Sequence, residues 1–457
     1  MQSTTKIVEV GRVVAPATAA TWPRGESSSL VKLSALDAPW LLAPLIQRVL
    51  LFVDGDGGQE LPPFESMVAS LRASLAATLA RFPPLAGRIV FLPDTGDAAI
   101  DCSSDPDSDR GGVRFVVAES EDADAARLAG DADHDVGAFK QLVPELETGK
   151  LPAEALAVQV TRLKGGAAVG VAMHHAVVDG RSVWRFLEAW AAVCRGDIAD
   201  ATAQAPVGFD RAALGLPDGE ELARSVLRKY AADLPAVAEL PVAANLPRRT
   251  FTITTDRINN LKQRITDASV TSSPSQTATP SSFVAVTALA WASFVRSKNP
   301  SAISPDDDVY LFFLVDCRGR CGGSIEDYFG TCITGCFAKA TARDLLADDG
   351  VSAAAAAVQE EVRRAAEDPL AQWDWMGLAW SPLPKERLVN VSGSTRFPAY
   401  EATDFGWGAP GRTELVTMNH GGQVVLVGGK GGGGGMQASV CMEPEYMEAF
   451  SSHFLNF

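Results

Sequence analysis

Histidine is scarce in this chain, with five in 457 residues, so any two side by side stand out. Positive charge is also short: 40 Lys and Arg stand against 56 Asp and Glu, for a net charge of −16. Such a field repels nucleic acid and anionic membrane surfaces, and neither is expected as a partner. No apolar run approaches the ~20 residues of a membrane span. The opening residues, Met1 to Val10, lack the apolar core of a signal peptide. Cysteine is thin and odd in number, seven scattered through the chain, the pattern of reduced thiols rather than a disulfide framework. Together these absences predict a cytoplasmic protein. No GxSxG stretch occurs, which argues against a serine hydrolase built on a nucleophile elbow. No internal repeat stands out.

What is present is ordinary globular composition, 47% hydrophobic and 21% charged, with length for about two or three domains. One stretch organises the rest. An apolar run, Val169 to Met173, breaks at a turn carrying His174, His175, Asp179 and Gly180, then resumes as a helical pattern from Val183 to Val193. A buried strand that delivers a histidine into a turn is a good mount for a general base. Two histidines packed at a strand end is the plainer reading, but the spacing His-x-x-x-Asp-Gly strengthens the functional one. An unperturbed histidine, near pKa ~6.5, is mostly neutral at cytosolic pH and can accept a proton. It cannot fully deprotonate a group as weakly acidic as an alcohol beforehand, so any such proton must leave as the new bond forms. A base so placed contributes about 10²–10⁴-fold, and binding both substrates together supplies much of the remainder.

Taken in order, Lys6 to Val14 alternates as a first strand. Phe64 to Phe82 reads as a helix, with Met67, Leu71, Leu75 and Leu79 on one face and Pro83-Pro84 as its stop. The acidic runs Asp94–Asp109 and Glu119–Asp135 read as solvated loops or exposed helix faces. Ala155–Leu163 and Val169–Met173 form a strand pair. The pattern weakens from Arg195 to Leu246. Phe251–Thr255 is then a strand, and Asp256–Ile265 a helix with Asp256 at its N-cap. Thr271–Ser281 is a Ser/Thr/Pro-rich loop, Ser282–Val295 a buried helix, Asp308–Asp316 an apolar strand and Ala353–Ala366 a charged helix. Gln423–Val427 and Met436–Cys441 are strands around the glycine run Gly428–Gly435. Without a GK[ST] continuation, that run reads as a hairpin tip rather than a phosphate cradle. Cys317, Cys321, Cys332 and Cys336 are spaced CxxxC twice with no nearby histidine. They read as free thiols, and no metal is expected.

Three ordered motifs carry a resemblance across nearly the whole chain. His175-Ala-Val-Val-Asp179-Gly180, Tyr328-Phe-Gly-Thr-Cys332 and Asp404-Phe-Gly-Trp-Gly408 resemble the HxxxDG, YFGNC and DFGWG elements of the plant BAHD acyltransferases. Leu85-Ala-Gly-Arg88 resembles the family's PLAGR turn. The YFGNC-like element is similar to that of members acylating anthocyanins and phenolic glucosides. The resemblance implies an α/β, two-domain, chloramphenicol-acetyltransferase-like fold with an interface channel. Residues 1–195 form a domain bearing HxxxD, 196–246 a crossover linker, and 247–457 a domain bearing DFGWG.

The implied activity is acyl transfer from acyl-CoA, a co-substrate rather than a bound cofactor, to a hydroxyl of a phenolic, flavonoid or anthocyanin glucoside. Malonyl-CoA is the first donor expected and a hydroxycinnamoyl-CoA the second, in a ternary complex on a monomer. His175 is the expected base. By resemblance Asp179 turns from the substrates to pair with an arginine, for which Arg318 is the candidate. Ser392 and Ser394 are candidate oxyanion donors or plain surface-loop serines, and Arg181 or Arg396 is a candidate cation for a malonyl carboxylate. Asp404, Gly406, Trp407 and Gly408 have a structural part. Thr331 stands where the family has asparagine, and Thr395 where a related form has proline. CoA is a polyanion, so a local basic patch must overcome the global charge. Other readings stay open: an N-acyltransferase acting on an amine, a carrier-dependent condensation enzyme, an acyl-Cys332 mechanism, or a catalytically silent acyl-CoA-binding protein.

Overall fold

The computed structural model describes residues 4–16, 29–103, 111–197, 207–238, 246–272, 279–320, 325–368, 377 and 383–457. Cys321 and parts of the acidic run 94–109, the crossover 196–246 and the loop 271–281 lie outside them.

Three sheets are present among the described residues. The first runs β1 (Lys6–Val13), β6 (Val113–Asp124), β8 (Leu156–Lys164), β9 (Gly166–Met173), β3 (Ile46–Val53), β14 (Arg412–Leu415). The second runs β10 (Arg248–Ile253), β16 (Met436–Cys441), β15 (Gln423–Gly428), β13 (Leu388–Gly393), β11 (Asp308–Asp316), β12 (Ile333–Thr341). A smaller sheet joins β2 (Leu30–Lys32), β5 (Asp97–Asp101), β4 (Arg88–Leu92) and β7 (Ala153–Glu154). The expected strand pair is the antiparallel β8–β9 ladder, in register from Leu156 opposite Met173 to Leu163 opposite Gly166. Among the described residues the longer helices are α1 (Phe64–Leu79), α2 (Gly180–Arg195), α3 (Gly219–Tyr230), α4 (Thr255–Ser272), α5 (Ser282–Lys298), α6 (Gly350–Glu367) and α7 (Pro444–Leu455).

Apolar periodicity explains the main packing. Helix α1 buries Met67, Leu71, Leu75 and Leu79, and α2 buries Val183, Phe186, Leu187 and Trp190. The two helices are tied where the Trp190 indole donates to Leu71 O at 3.2 Å and Ser74 Oγ at 3.0 Å. Helix α5 is buried almost all round and sits in a second core with α4, α6 and α7. The two sheets are not segregated along the chain. Strand β14 comes from the second half yet pairs with β3, Arg412 opposite Leu51, so the segment expected as one domain from 247 to 457 completes the sheet of the other.

Several expectations need correction. The acidic run holds the buried strand β5, where Ala98, Ala99 and Ile100 face the interior. The Asp97 carboxylate is accommodated by Lys32 and Arg224, each at 3.0 Å. Glu119–Asp135 is a loop only over 131–135: β6 continues to Asp124, and Asp124 caps the next helical turn by accepting from Arg127 N, while Glu121, Asp122, Asp131 and Asp133 are exposed as expected. Helix α4 begins at Thr255, so Asp256 lies inside the first turn, and Thr254 Oγ1 accepts from Arg257 N. The crossover contains α3, held by buried Ala223, Val226 and Leu227. No helix among the described residues is long and apolar enough to cross a membrane.

Candidate active site

Strand β9 lies between β8 and β3, and its Val169, Val171 and Met173 are wholly buried. His174 N extends the pairing by one bond to Ala155 O at 2.9 Å, and Val177 N closes the turn onto His174 O at 2.9 Å. The two adjacent imidazoles differ. His174 is buried, and its Nδ1 accepts from Ala176 N at 3.2 Å. His175 is less enclosed and lies flat on Trp40, ring centroids 3.7 Å apart and planes 13° from parallel. Burial pushes the His174 pKa down to about 3 and that of His175 down to about 4. Both rings are therefore neutral at pH 7.

Asp179 shows no bond to the imidazole among the described residues. Fully buried, it caps α2 by accepting from Ser182 N at 2.9 Å, accepts from Cys332 N at 3.0 Å, and pairs with Arg318 Nη1 at 2.8 Å. Burial raises its pKa, but the adjacent guanidinium and these N–H donors outweigh it and hold the carboxyl below its usual range. A buried ion pair needs its remaining donors and acceptors satisfied. Arg318 meets that demand through Asp316 at 3.0 Å, Tyr328 O at 2.9 Å and Gly330 O at 2.9 Å.

A second buried pair flanks the same turn from the other side. Asp37 is wholly buried and accepts from Arg211 Nε at 3.2 Å, Ser34 N at 2.9 Å and Thr331 N at 2.9 Å. Arg211 also donates to Phe329 O at 2.9 Å. The carbonyls of Tyr328, Phe329 and Gly330 are thus taken alternately by Arg318 and Arg211. The amides of Gly330, Thr331 and Cys332 go to Ser182 Oγ, Asp37 and Asp179. Tyr328–Cys332 is a clamp for the histidine turn. Its last hold is direct: Thr331 Oγ1 donates to His175 O at 2.9 Å. Trp40, Asp37, Arg211 and Thr331 had no role assigned from sequence. An aspartate inside the apolar stretch Leu33–Leu42 was the available signal, because buried carboxylates are nearly always paired.

The remaining candidates fall into distinct places. Ser392, on β13, has a buried Oγ with no hydrogen-bond partner among the described residues. Ser394 Oγ accepts from Arg396 N at 3.2 Å, which closes a turn, and Arg396 is exposed. Phe397 brings this loop to the histidine turn: a Cβ placed on Gly180 would meet its ring at 3.1 Å. Arg181 is engaged by Asp316 at 3.1 Å and by Glu326 at 2.5 Å, so it is not the free cation the sequence suggested. In the DFGWG turn, Asp404 Oδ1 accepts from Gly406 N at 2.8 Å and Gly408 N at 3.0 Å. Both glycines have positive φ, 106° and 90°. Phe405 and Trp407 pack edge-on against Phe52. Cys317, Cys332 and Cys336 are buried. A groove of about 780 Å³ opens between β1 and α1, and none of these site residues lines it.

A profile described as the transferase family matches residues 13–456. The chain belongs to that family, the BAHD acyltransferases. This acyltransferase is 28% identical to phenolic glucoside malonyltransferase 1 of Arabidopsis thaliana, over 98% of the chain and 96% of the relative. It is 30% identical to BAHD acyltransferase DCR of the same plant, over 91% and 86% of the two chains. The crystal structure of vinorine synthase matches with a TM-score of 0.73 at 21% identity, covering 99% and 98% of the two chains. That match fixes the mixed α/β fold of the acyltransferase.

Proposed function

We propose that this acyltransferase moves a malonyl group from malonyl-CoA to a sugar hydroxyl of a phenolic glucoside, with His175 as general base. The observation that carries the chemistry is a neutral imidazole on a turn held by two buried ion pairs. The substrate class rests on likeness along the whole chain to phenolic glucoside malonyltransferase 1. His175 takes the hydroxyl proton as the acceptor oxygen attacks the thioester carbonyl. The carbon–sulfur bond then breaks, and the imidazolium returns the proton to the departing thiolate, leaving ester, free CoA and neutral His175. Asp179 does not relay the proton, because its hydrogen bonds go to Arg318 and two backbone amides. Ser392, with its unpartnered buried hydroxyl, is the better of the two serines to donate to the oxyanion. Arg396 replaces Arg181 as the cation for the donor carboxylate. In this reading both lobes, divided near residues 196–246, contribute to one channel, and the protein acts as a cytoplasmic monomer.

Thiol release from malonyl-CoA and coumaroyl-CoA, with and without a phenolic glucoside, tests the assignment. Acceptor-dependent release from malonyl-CoA, lost by about 10²–10⁴-fold in His175→Ala, is expected. Release only from coumaroyl-CoA would replace the donor, and release without acceptor would replace transfer by hydrolysis.

A further inference from the structure

We propose that Thr331 is a positioning residue for the general base, its hydroxyl anchoring the His175 carbonyl while Trp40 fixes the plane of the ring. The proposal rests on His175 being the base. A base must be oriented as well as present, and the usual device is a carboxylate bonded to its second nitrogen. That device is missing among the described residues. Asp179 is occupied by Arg318, Ser182 N and Cys332 N, and His175 Nδ1 is buried with no hydrogen bond of good geometry. Orientation therefore falls to the backbone and to the ring face.

The ring face is held by the near-parallel stack on Trp40. The backbone is held by Thr331, which is itself immobilised. Thr331 is fully buried, its amide donates to Asp37, and Asp37 is fixed by Arg211 and Ser34. Asp37 thus touches both arms: its carboxylate accepts from Thr331 N, and its backbone carbonyl accepts from Trp40 N at 3.1 Å at the start of the short turn Ala38–Leu41. The Thr331 contact also has an electrostatic side. After burial, which lowers it, the largest influence on the His175 pKa is its own backbone carbonyl, which raises it. That carbonyl accepts from Thr331 Oγ1. Removing the hydroxyl frees the carbonyl to favour the imidazolium, and the pKa of the base moves up.

The experiment compares wild type with Thr331→Val, Thr331→Ser and Trp40→Phe, beside His175→Ala. kcat and KM for malonyl-CoA and a phenolic glucoside are measured from about pH 3.5 to 9, a window that includes the acid limb of a base depressed to about 4, with circular dichroism to monitor folding. Thr331→Val keeps the shape and loses the donor. We expect its kcat to fall about tenfold, one hydrogen bond's worth, with both KM values within twofold, and the acid limb of kcat/KM to move to higher pH. Thr331→Ser restores both rate and limb, while Trp40→Phe, which retains a stacking face, loses less than Thr331→Val. Thr331→Val with unchanged kcat and pH profile, while His175→Ala is inactive, overturns the positioning role and leaves the base in place. A turnover-competent His175→Ala removes the base and this proposal with it. If Thr331→Val fails to fold, Thr331→Ser and Trp40→Phe decide: a kcat loss in Thr331→Ser equal to that of Trp40→Phe overturns the role of the hydroxyl.

Discussion

Two aspartates in this protein do the same local job in opposite surroundings. Asp179 fixes the histidine turn by accepting from Ser182 N and Cys332 N, and Asp404 fixes the DFGWG turn by accepting from Gly406 N and Gly408 N. Asp404 is partly exposed and takes both amides from its own turn. Asp179 is wholly buried, and one of its amides and its counter-ion come from distant segments. The DFGWG turn is held by the local bonds of the Asp404 carboxylate, by one remote donor, Arg195, on the Asp404 carbonyl, and by aromatic packing. The histidine turn is a junction of remote pieces, and its order depends on all of them.

The sharpest test of that contrast is to delete both carboxylates. Asp179→Ala leaves Arg318 buried with Asp316 as its remaining carboxylate partner, and breaking a buried pair from one side costs about 3–5 kcal/mol. Asp404→Ala removes two hydrogen bonds at about 1 kcal/mol each without stranding a buried charge. Urea unfolding should show the larger loss for Asp179→Ala, and Asp179→Asn should lose both stability and turnover. A fully stable Asp179→Asn enzyme would mean that the buried pair does not shape the turn. Asp404→Ala should keep kcat within a few-fold of wild type in the thiol-release assay.

Acid sharpens the contrast next, because the histidine turn holds two neutral imidazoles. In the folded state their pKa values are depressed to about 3 and about 4, against ~6.5 in the unfolded chain. The unfolded chain therefore binds these protons first. Stability is full above pH ~6.5 and is lost as pH falls toward 4. Thermal melts between pH 4 and 8 should follow that slope, and His175→Gln should remove part of it. An identical slope in the variant would place the acid sensitivity elsewhere. For the same reason, the acid limb of kcat/KM should lie nearer pH 4 than 6.5.

The legible parts of the structure were those whose cause is local. Four-residue spacing marked α1, alternation marked β8 and β9, and two glycines around a tryptophan marked a tight turn. Arg318 as the partner of Asp179 was legible only through family likeness, because nothing local joins them. Asp97–Asp101 was misread as solvated because Lys32 and Arg224, which neutralise Asp97, lie elsewhere in the chain. The stack of Trp40 on His175 and the reach of Thr331 to its carbonyl have no spacing signal at all. The pairing of Arg181 was illegible for a similar reason: its acidic partners Asp316 and Glu326 come from the other half.

The smallest predicted effect concerns Gly180, where the histidine turn meets the loop carrying Ser394 and Arg396. A methyl group there would stand 3.1 Å from two atoms of the Phe397 ring, so the ring must yield by a few tenths of an ångström. The backbone at Gly180 does not require positive φ, and alanine favours the first turn of α2 by up to about 1 kcal/mol. These terms oppose one another, so the melting temperature of Gly180→Ala should barely change. The displaced ring should instead be felt as a few-fold rise in the KM for malonyl-CoA, with kcat nearly constant. A companion Phe397→Leu, which gives the methyl room, should return KM toward wild type. If the KM of Gly180→Ala is unchanged, the 394–398 loop does not help to seat the donor, and Arg396 loses its assigned part.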